Sequence, residues 1–257
     1  MTEHVTIERA GGILTLALNR PEKKNAITGA MYKALYDNIQ AAKDDPEIRC
    51  VLIRAEGADF SSGNDVFDFA AIATGQVKPE DAGAWRLLET LAHFDKPIVA
   101  AVKGLAVGIG TTLLLHCDLV YVAEDAKLST PFVNLALAPE AASSVILPTM
   151  IGHARAFSMF VLGEPVSGRE AAAWGLANKA LPAEDVDAAA RAAAELLVSR
   201  PINAVRASKR LMRDGAKIWA QMEAEGRVFN DLLFAPEARE AFTAFAERRK
   251  PDFSKVA

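Results

Sequence analysis

The feature that most constrains the fold is a repeated layout of apolar strand, glycine turn and helix start. The apolar run VLI at residues 51–53 is followed by the polar turn FSSGNDV at residues 60–66. A second apolar run, PIVAAV at residues 97–102, leads directly into GLAVGIGTT at residues 104–112. Glycine lets the backbone approach a ligand closely, and a helix start leaves backbone N–H groups without intrahelical partners. Both turns therefore favour an anion or an oxygen that gains negative charge, although a plain helix cap explains either turn taken alone.

The order of the predicted elements indicates an α/β core followed by helices. Apolar strands are predicted at residues 13–18, 50–53, 97–102 and 118–123. Helices are predicted at residues 31–43, 84–94, 111–116, 144–151, 185–199, 201–214, 219–234 and 236–249. We therefore expect a core of strand–helix units at residues 1–199 and a C-terminal helical region at residues 200–257, forming one continuous unit.

Three helix starts carry residues that are typical of caps. Thr28 precedes the helix predicted near residue 31, and Ser167 with Glu170 three positions later forms a capping box. Asp185 precedes the alanine-rich helix that is predicted to end near Ser199, and we expect its side chain to cap that helix.

Composition and charge narrow the classes of protein to consider. The 257 residues are 51% hydrophobic and 24% charged, with a net charge of -4 and no separate block of Lys and Arg, so no nucleic-acid partner is expected. Charges interrupt the longest apolar region, so no membrane partner is expected either. The first residues lack the pattern of a signal peptide, and the two cysteines lie in apolar surroundings, which predicts a cytoplasmic protein with free thiols. No His or Cys spacing indicates a metal site.

The motifs as a set resemble the crotonase (enoyl-CoA hydratase/isomerase) superfamily. The resemblance rests on the two glycine turns, on RP at residues 20–21 with NA at 25–26, on CD at 117–118 and on FAERRKPDF at 245–253. It covers about residues 7–253, and it implies a spiral of ββα units with a C-terminal helical region that packs trimers. It also implies an acyl-CoA thioester substrate, a homotrimer or a hexamer of two trimers, and no cofactor beyond the coenzyme A of the substrate.

The resemblance also assigns binding residues. It implies that the backbone N–H groups of Asn64 and Ile109 hold the thioester oxygen in an oxyanion hole, a pairing that spacing alone does not give. The positions that match substrate and CoA contacts are Lys23, Lys24, Ala26, Ser62, Gly63, Asp65, Val66, Gly108, Phe132, Phe245 and Arg248. The residues themselves leave other interpretations open. Lys24 also fits a solvated loop, Asp65 fits a helix cap, and Phe245 with Arg248 fit helix packing and surface charge.

Two positions depart from the hydratase pattern. Hydratases of this superfamily place one glutamate shortly after the second glycine turn and another after the next strand. Those places hold Thr112 and Phe132 here. Threonine is not a general base near neutral pH, and phenylalanine has no proton to give. Water addition by the two-carboxylate route is therefore not expected.

One acid remains in a suggestive place. The segment TPFVNLALAPEAASS at residues 130–144 resembles the Δ3,Δ2-enoyl-CoA isomerase branch, in which a single glutamate of a Pro-Glu turn moves the proton. The resemblance implies that Glu140 takes a proton from C2 of a 3-enoyl thioester of fatty-acid metabolism and returns it to C4 of the dienolate. Phe132 is then expected to exclude water and raise the carboxyl pKa. Without the resemblance, Glu140 is simply an exposed carboxylate at a helix start.

Other assignments remain open. An enoyl-CoA hydratase or another crotonase reaction would use Glu140 with a different helper, and a non-catalytic acyl-CoA-binding protein would explain the loss of the two usual glutamates. Asp68 and Glu124 act as acids only if the fold turns them inward. His116, next to Cys117, fits core packing better than a nucleophile pair.

Overall fold

The computed structural model of the chain describes residues 2–65, 68, 72, 76, 83–247 and 249–256. Two of the predicted binding residues, Val66 and Arg248, lie outside the described residues, and the side chain of Phe245 is not described. Within these described ranges, no helix has both the length and the apolar character needed to cross a membrane.

Nine strands form two sheets in the described part of the chain. The strands are β1 Val5–Ala10, β2 Ile13–Leu18, β3 Cys50–Ala55, β4 Ile98–Val102, β5 Leu105–Val107, β6 Leu119–Ala123, β7 Lys127–Ser129, β8 Val166–Ser167 and β9 Lys179–Leu181. The larger sheet has the order β1-β2-β3-β4-β6-β9, in which β1 runs antiparallel to β2 and every other neighbouring pair is parallel. Strands β2 and β4 are buried along their whole length, as expected when helices and loops cover both faces of a parallel sheet.

The smaller sheet lies where the candidate site forms. It has the order β5-β7-β8, with β5 parallel to β7 and β7 antiparallel to β8. Strand β5 follows β4 after a short turn at Gly104, so one stretch of chain passes from the large sheet to the small one. The second glycine turn comes directly after β5.

Ten α-helices surround the sheets among the described residues. They are α1 Gly29–Asp44, α2 Gly83–His93, α3 Ile109–Thr112, α4 Ser143–Ile151, α5 His153–Phe157, α6 Gly168–Trp174, α7 Val186–Ser199, α8 Ile202–Met212, α9 Gly215–Leu233 and α10 Pro236–Ala246. Helix α7 packs on β3, β4 and β6, and α1 packs on α2. Helix α9 also packs on α2, where the rings of Trp85 and Trp219 lie 4.8 Å apart. The C-terminal helices therefore contact the core of their own chain.

The predicted architecture is confirmed in its main elements. The α/β core and the late run of helices are present, and each of the four predicted strands is found within one or two residues of its expected bounds. Strand β1 was not predicted, because five of its six residues are exposed and it carries no apolar alternation. The helix predicted from residue 111 begins instead at Ile109, directly after the glycine turn.

The caps give two confirmations and one correction. The hydroxyl of Thr28 accepts a hydrogen bond from the Met31 N–H at 3.3 Å, and Ser167 with Glu170 forms the complete capping box. The prediction for Asp185 is wrong: its side chain makes no capping hydrogen bond. Asp185 ends a 3-10 turn that continues into α7, so its own backbone is already helical and its side chain does not meet the free N–H groups.

Candidate active site

Backbone hydrogen bonds bring the two glycine turns together. The Ser61 N–H donates to the carbonyl of Leu105 at 2.9 Å, and the Val107 N–H donates to the carbonyl of Ser61 at 3.0 Å. Gly63 has a φ of +96°, and a Cβ at this position would lie 2.9 Å from the carbonyl oxygen of Val107. Gly110 packs as closely, since a Cβ there would lie 3.0 Å from the Ser61 side chain. Glycine is therefore required at the contact between the turns.

Each turn carries a backbone donor that has no acceptor among the described residues. Among the residues that the structure describes, neither the Asn64 N–H nor the Ile109 N–H donates a hydrogen bond. Ile109 is buried and is the first residue of α3, and Gly108 before it has a φ of +55°. Asn64 is exposed, and its side-chain oxygen accepts a hydrogen bond from the Tyr32 hydroxyl at 2.5 Å. An N–H group that has no acceptor among the described residues can donate to a ligand oxygen.

The loop after β2 is joined to the first turn. The Ser62 N–H donates to the carbonyl of Lys24 at 2.9 Å. The Ile27 N–H donates to the carbonyl of Gly63 at 2.8 Å, and the Asp65 N–H donates to the carbonyl of Ile27 at 3.0 Å. Four of the residues that the resemblance assigns to coenzyme A binding, namely Lys24, Ser62, Gly63 and Asp65, therefore lie in two segments that backbone hydrogen bonds join.

Two buried groups fix the shape of this loop. The Arg20 guanidinium lies 2.6 Å from the Asp65 carboxylate and donates to the carbonyl of Ala26 at 3.2 Å. The Asn25 side chain is fully buried, accepts from the Arg20 N–H at 2.7 Å and donates to two backbone carbonyls at 2.9 and 2.7 Å. The side chains of Lys23 and Lys24 remain exposed on the outside of this frame. They are therefore free to meet a charged ligand.

Glu140 lies against the second glycine turn. Its carboxylate accepts a hydrogen bond from the hydroxyl of Thr112, the last residue of α3. Burial raises the pKa of the Glu140 carboxyl to about 7, the Thr112 hydrogen bond opposes this rise, and the negative charge of Glu225 adds to it. A carboxyl that titrates near neutral pH can both accept and return a proton. The short helix α3 thus connects one unpaired donor, at Ile109, with the partner of this acid.

The backbone after Glu140 is in an unusual conformation. Ala141 and Ala142 have φ values of +64° and +55°. The buried His116 lies with Nε2 2.9 Å from the carbonyl of Ala141, so Nε2 carries the proton, and Nδ1 accepts from Arg213. Burial, helped by the nearby Arg213, lowers the pKa of His116 to about 3, so this imidazole is neutral. His116 is a support for the turn, which agrees with the prediction of core packing.

Three further residues that the sequence singled out have partners of their own. Phe132 is buried, and its ring lies 6.2 Å from the ring of Phe160. Glu124 forms an ion pair with Arg169 at 2.5 Å, and the exposed Asp68 accepts from the Gly29 N–H at 2.5 Å. Glu124 and Asp68 therefore have structural partners of their own.

Two residues of the site were missed from the sequence. Tyr32 projects from α1 to Asn64, and Glu225 projects from α9 to the turn behind Glu140. Tyr32 was read as part of a helix, and Glu225 lies in the late helical run, far from both turns in sequence. Neither carries a local signal, because each acts through a contact made by the tertiary fold.

Comparison with known proteins places this site in a family. The profile of the family "Enoyl-CoA hydratase/isomerase" matches residues 8–256. "Enoyl-CoA delta isomerase 2" of Rattus norvegicus is 35% identical over 95% of this chain, which spans 64% of the rat protein. A "probable enoyl-CoA hydratase" of Rhodobacter capsulatus is 32% identical over 97% of both chains.

A solved structure agrees with the sequence comparison. The enoyl-CoA hydratase/isomerase of Pseudoalteromonas atlantica superimposes with a TM-score of 0.92 and 36% identity, covering 98% of this chain and 100% of that one. The predicted crotonase fold is confirmed by this match. The chain therefore belongs to the enoyl-CoA hydratase/isomerase family of the crotonase superfamily.

Proposed function

We propose that this enzyme moves the double bond of a 3-enoyl-CoA to give the 2-enoyl-CoA, with Glu140 as both acid and base. The observation that carries the proposal is the contact between Thr112 and Glu140. Threonine stands where the resemblance to hydratases calls for a carboxylate, and its hydroxyl is committed to the one acid beside it. A single carboxyl suffices to move a proton, whereas addition of water by the usual route needs two.

In this mechanism, the backbone N–H donors of the two glycine turns polarise the thioester carbonyl. In the proposed complex, the N–H groups of Asn64 and Ile109 bind the thioester oxygen, which withdraws electrons and makes the C2 proton acidic. Loss of one such donor typically costs about 2.7–4 kcal/mol of transition-state stabilisation. The same donors then hold the oxygen of the dienolate until the proton returns at C4.

The environment of Glu140 supports the proton transfer. With a pKa of about 7, a large share of this carboxyl is ionised at neutral pH, and its conjugate acid is strong enough to protonate the dienolate at C4. In this proposal Glu225 is not the second carboxylate of a hydratase, because it binds the backbone behind Glu140. Both of its oxygens accept hydrogen bonds from the Ala142 and Ser144 backbone N–H groups.

Coenzyme A is proposed to bind beside the first turn. The exposed lysines Lys23 and Lys24 are the cations nearest to Ser62 in the hydrogen-bonded frame, and they are suited to the phosphates of the ligand. The path from these lysines to the thioester would be lined by Ala26, Asp65 and the residues around Gly108.

The assembly of the protein and its location are also proposals. Large exposed apolar side chains occur on the later helices, as expected for surfaces covered by another subunit; they include Val145, Phe157, Leu162, Val228 and Phe234. We therefore retain the homotrimer, or a hexamer of two trimers, as the proposed assembly. A cytoplasmic location and the absence of a cofactor beyond coenzyme A remain proposals that rest on the sequence.

The experiment compares turnover of two substrates. A 3-enoyl-CoA and a 2-enoyl-CoA are supplied separately to the wild type, to Glu140→Gln and to Glu195→Gln, a control that neutralises an exposed carboxylate on α7. We expect conversion of the 3-enoyl-CoA by the wild type and the control, and a loss of about 10²-fold or more in kcat for Glu140→Gln. Hydration of the 2-enoyl-CoA as the main reaction would favour the hydratase alternative. Unchanged turnover in Glu140→Gln would remove Glu140 from the mechanism.

A further inference from the structure

Glu225 binds the turn that carries Glu140. Its Oε2 accepts a hydrogen bond from the Ala142 N–H at 2.6 Å, and its Oε1 accepts from the Ser144 N–H at 3.0 Å and from the Ser144 hydroxyl. Glu225 lies on α9 and is only 6% exposed. One turn earlier on the same helix, Gln221 donates to the Ser144 hydroxyl oxygen at 3.0 Å. Helix α9 therefore holds this turn through the hydrogen bonds of two polar side chains.

The turn needs such support because its backbone is strained. A left-handed conformation is sterically unfavourable for a residue with a Cβ, and both Ala141 and Ala142 adopt it. Such a conformation persists where the surroundings fix it. His116 holds the carbonyl of Ala141 on one side, and Glu225 holds the N–H of Ala142 on the other. Glu140 is the residue directly before this doubly held segment.

We propose that Glu225 is a positioning residue, which fixes the turn at residues 141–142 so that the Glu140 carboxylate meets Thr112 and the substrate. The inference rests on the proposed role of Glu140 as the base. No proton transfer is assigned to Glu225, since its two oxygens accept hydrogen bonds from Ala142 and Ser144 and hold the turn.

The charges around Glu140 provide a readout that a purely structural role would not change. Thr112 on α3, Tyr32 on α1 and Glu225 on α9 interact with Glu140, and Asp68 lies beyond Tyr32. His116, with Arg213 beyond it, contacts the carbonyl of the next residue, Ala141. Burial is the main cause that raises the pKa of Glu140, and the charge of Glu225 raises it further. His116 is neutral, and burial raises the pKa of Tyr32 well above its usual value, so the phenol is neutral as well. A neutral side chain at position 225 should therefore lower the pH at which Glu140 ionises.

Three variants separate the position of Glu140 from its charge environment. Glu225→Gln keeps the length of the side chain and removes its charge. Glu225→Asp keeps the charge, but it is one methylene shorter and cannot reach both backbone donors. Glu223→Gln removes the charge of an exposed residue on the same helix and serves as the matched control.

Two measurements are made on each variant. The first is kcat and KM for the 3-enoyl-CoA as a function of pH. The second is the pH titration of the Glu140 carboxyl by infrared difference spectroscopy, in which the protonated C=O band is assigned by its loss in Glu140→Gln. The infrared titration requires no turnover. It therefore reports on Glu225 even if the wild type fails to isomerise the substrate and the proposed function is wrong.

For Glu225→Gln we expect kcat to fall by about tenfold or more with little change in KM, since a small misplacement of a catalytic group costs about this much. In the same variant, the midpoint pH of the Glu140 titration should be lower than in the wild type. Glu225→Asp should lose kcat while its midpoint stays near that of the wild type, and Glu223→Gln should match the wild type in both measurements.

The proposal is overturned if Glu225→Gln has the wild-type kcat. A fall in kcat without a change in the midpoint pH of the Glu140 titration would show that Glu225 has a purely structural role. That result would also overturn the proposal. If Glu225→Gln does not fold, Glu225→Asp decides the matter, because it retains the buried charge. Wild-type kcat in a folded Glu225→Asp would then show that the contact does not position Glu140.

Discussion

The hydroxyl of Thr112 donates a hydrogen bond to the carboxylate of Glu140, from the last residue of a helix that begins at Ile109. This relationship joins the two halves of the proposed chemistry. The N–H of Ile109 is unpaired among the described residues, while Thr112, one turn later, sets the direction and the ionisation of the acid. A four-residue helix thus connects the proposed site of the thioester oxygen with the proposed site of proton transfer.

Removing this hydroxyl should move the pH dependence of the reaction. A hydrogen bond to the ionised carboxylate lowers the pKa of Glu140, so Thr112→Val should raise that pKa. Hydrogen bonds to charged groups contribute about 1.5–3 kcal/mol, so we expect a loss of about tenfold in kcat near neutral pH, recovered in part at higher pH. The measurement is the pH profile of kcat. Thr112→Ser keeps the hydroxyl and should retain the wild-type midpoint, and an unmoved midpoint in Thr112→Val would contradict the prediction.

The raised pKa of Glu140 should also appear in stability. Folding raises this pKa from 4.5 to about 7, so the folded protein increasingly disfavours the ionised carboxyl as the pH rises through this range. Glu140→Gln has no charge to bury, and it should be more stable than the wild type above neutral pH by about 1–3 kcal/mol. Thermal unfolding across pH measures the difference. The gain in Tm should be small near pH 4.5, should grow as the pH rises to about 7 and should then level off; a gain that does not change between pH 4.5 and 7 would contradict the assigned shift.

The contact between the glycine turns can be tested with a matched pair of alanine variants. Gly63 and Gly152 have similar φ values, +96° and +85°, but a Cβ at Gly63 would meet the Val107 carbonyl at 2.9 Å, whereas a Cβ at Gly152 would meet nothing within 4 Å. Both variants should lose about 1–3 kcal/mol of stability through backbone strain. Only Gly63→Ala should also lose activity, because its turn must shift away from its partner. Equal activities in the two variants would argue against a site built on this contact.

The role of the exposed Lys24 is tested by shortening the ligand. Lys24→Ala should raise the KM for an acyl-CoA by about two- to fivefold, the range expected for one exposed charge pair. It should leave the KM for the corresponding pantetheine thioester unchanged, because that substrate lacks the nucleotide phosphates. Lys33→Ala, which removes an exposed lysine of α1, is the control and should affect neither substrate. An equal change for both substrates would place Lys24 away from the phosphates.

The sequence predicts the fold well because its strongest signals are local. The apolar runs that become β2, β3 and β4 are buried on both faces, so their composition alone marks them as strands. Strand β1 exposes most of its residues and owes its structure to pairing with β2, which leaves no such pattern. Asp185 has the residue type of a cap, but the preceding 3-10 turn decides its backbone conformation.

Only part of the site can be predicted from the sequence, because several of its contacts join residues that are far apart along the chain. The glycines and the Pro-Glu turn mark Gly63, Gly108 and Glu140, whereas the pairing of the two N–H donors depended on a family resemblance. Glu225 and Tyr32 reach the site from helices, by contacts that span long stretches of chain. An ordinary helical glutamate or tyrosine has the same local sequence whether or not the fold turns it towards an active site.

The central claim is that one carboxyl carries a proton from C2 to C4 and that no water is added. The most direct measurement is a single turnover of a 3-enoyl-CoA deuterated at C2, with the enzyme in excess and the product analysed by mass spectrometry. We predict a 2-enoyl-CoA with no added oxygen and with part of the deuterium at C4, and we predict that this product does not form with Glu140→Gln. A 3-hydroxyacyl-CoA as the product, or isomerisation that persists in Glu140→Gln, would contradict the account.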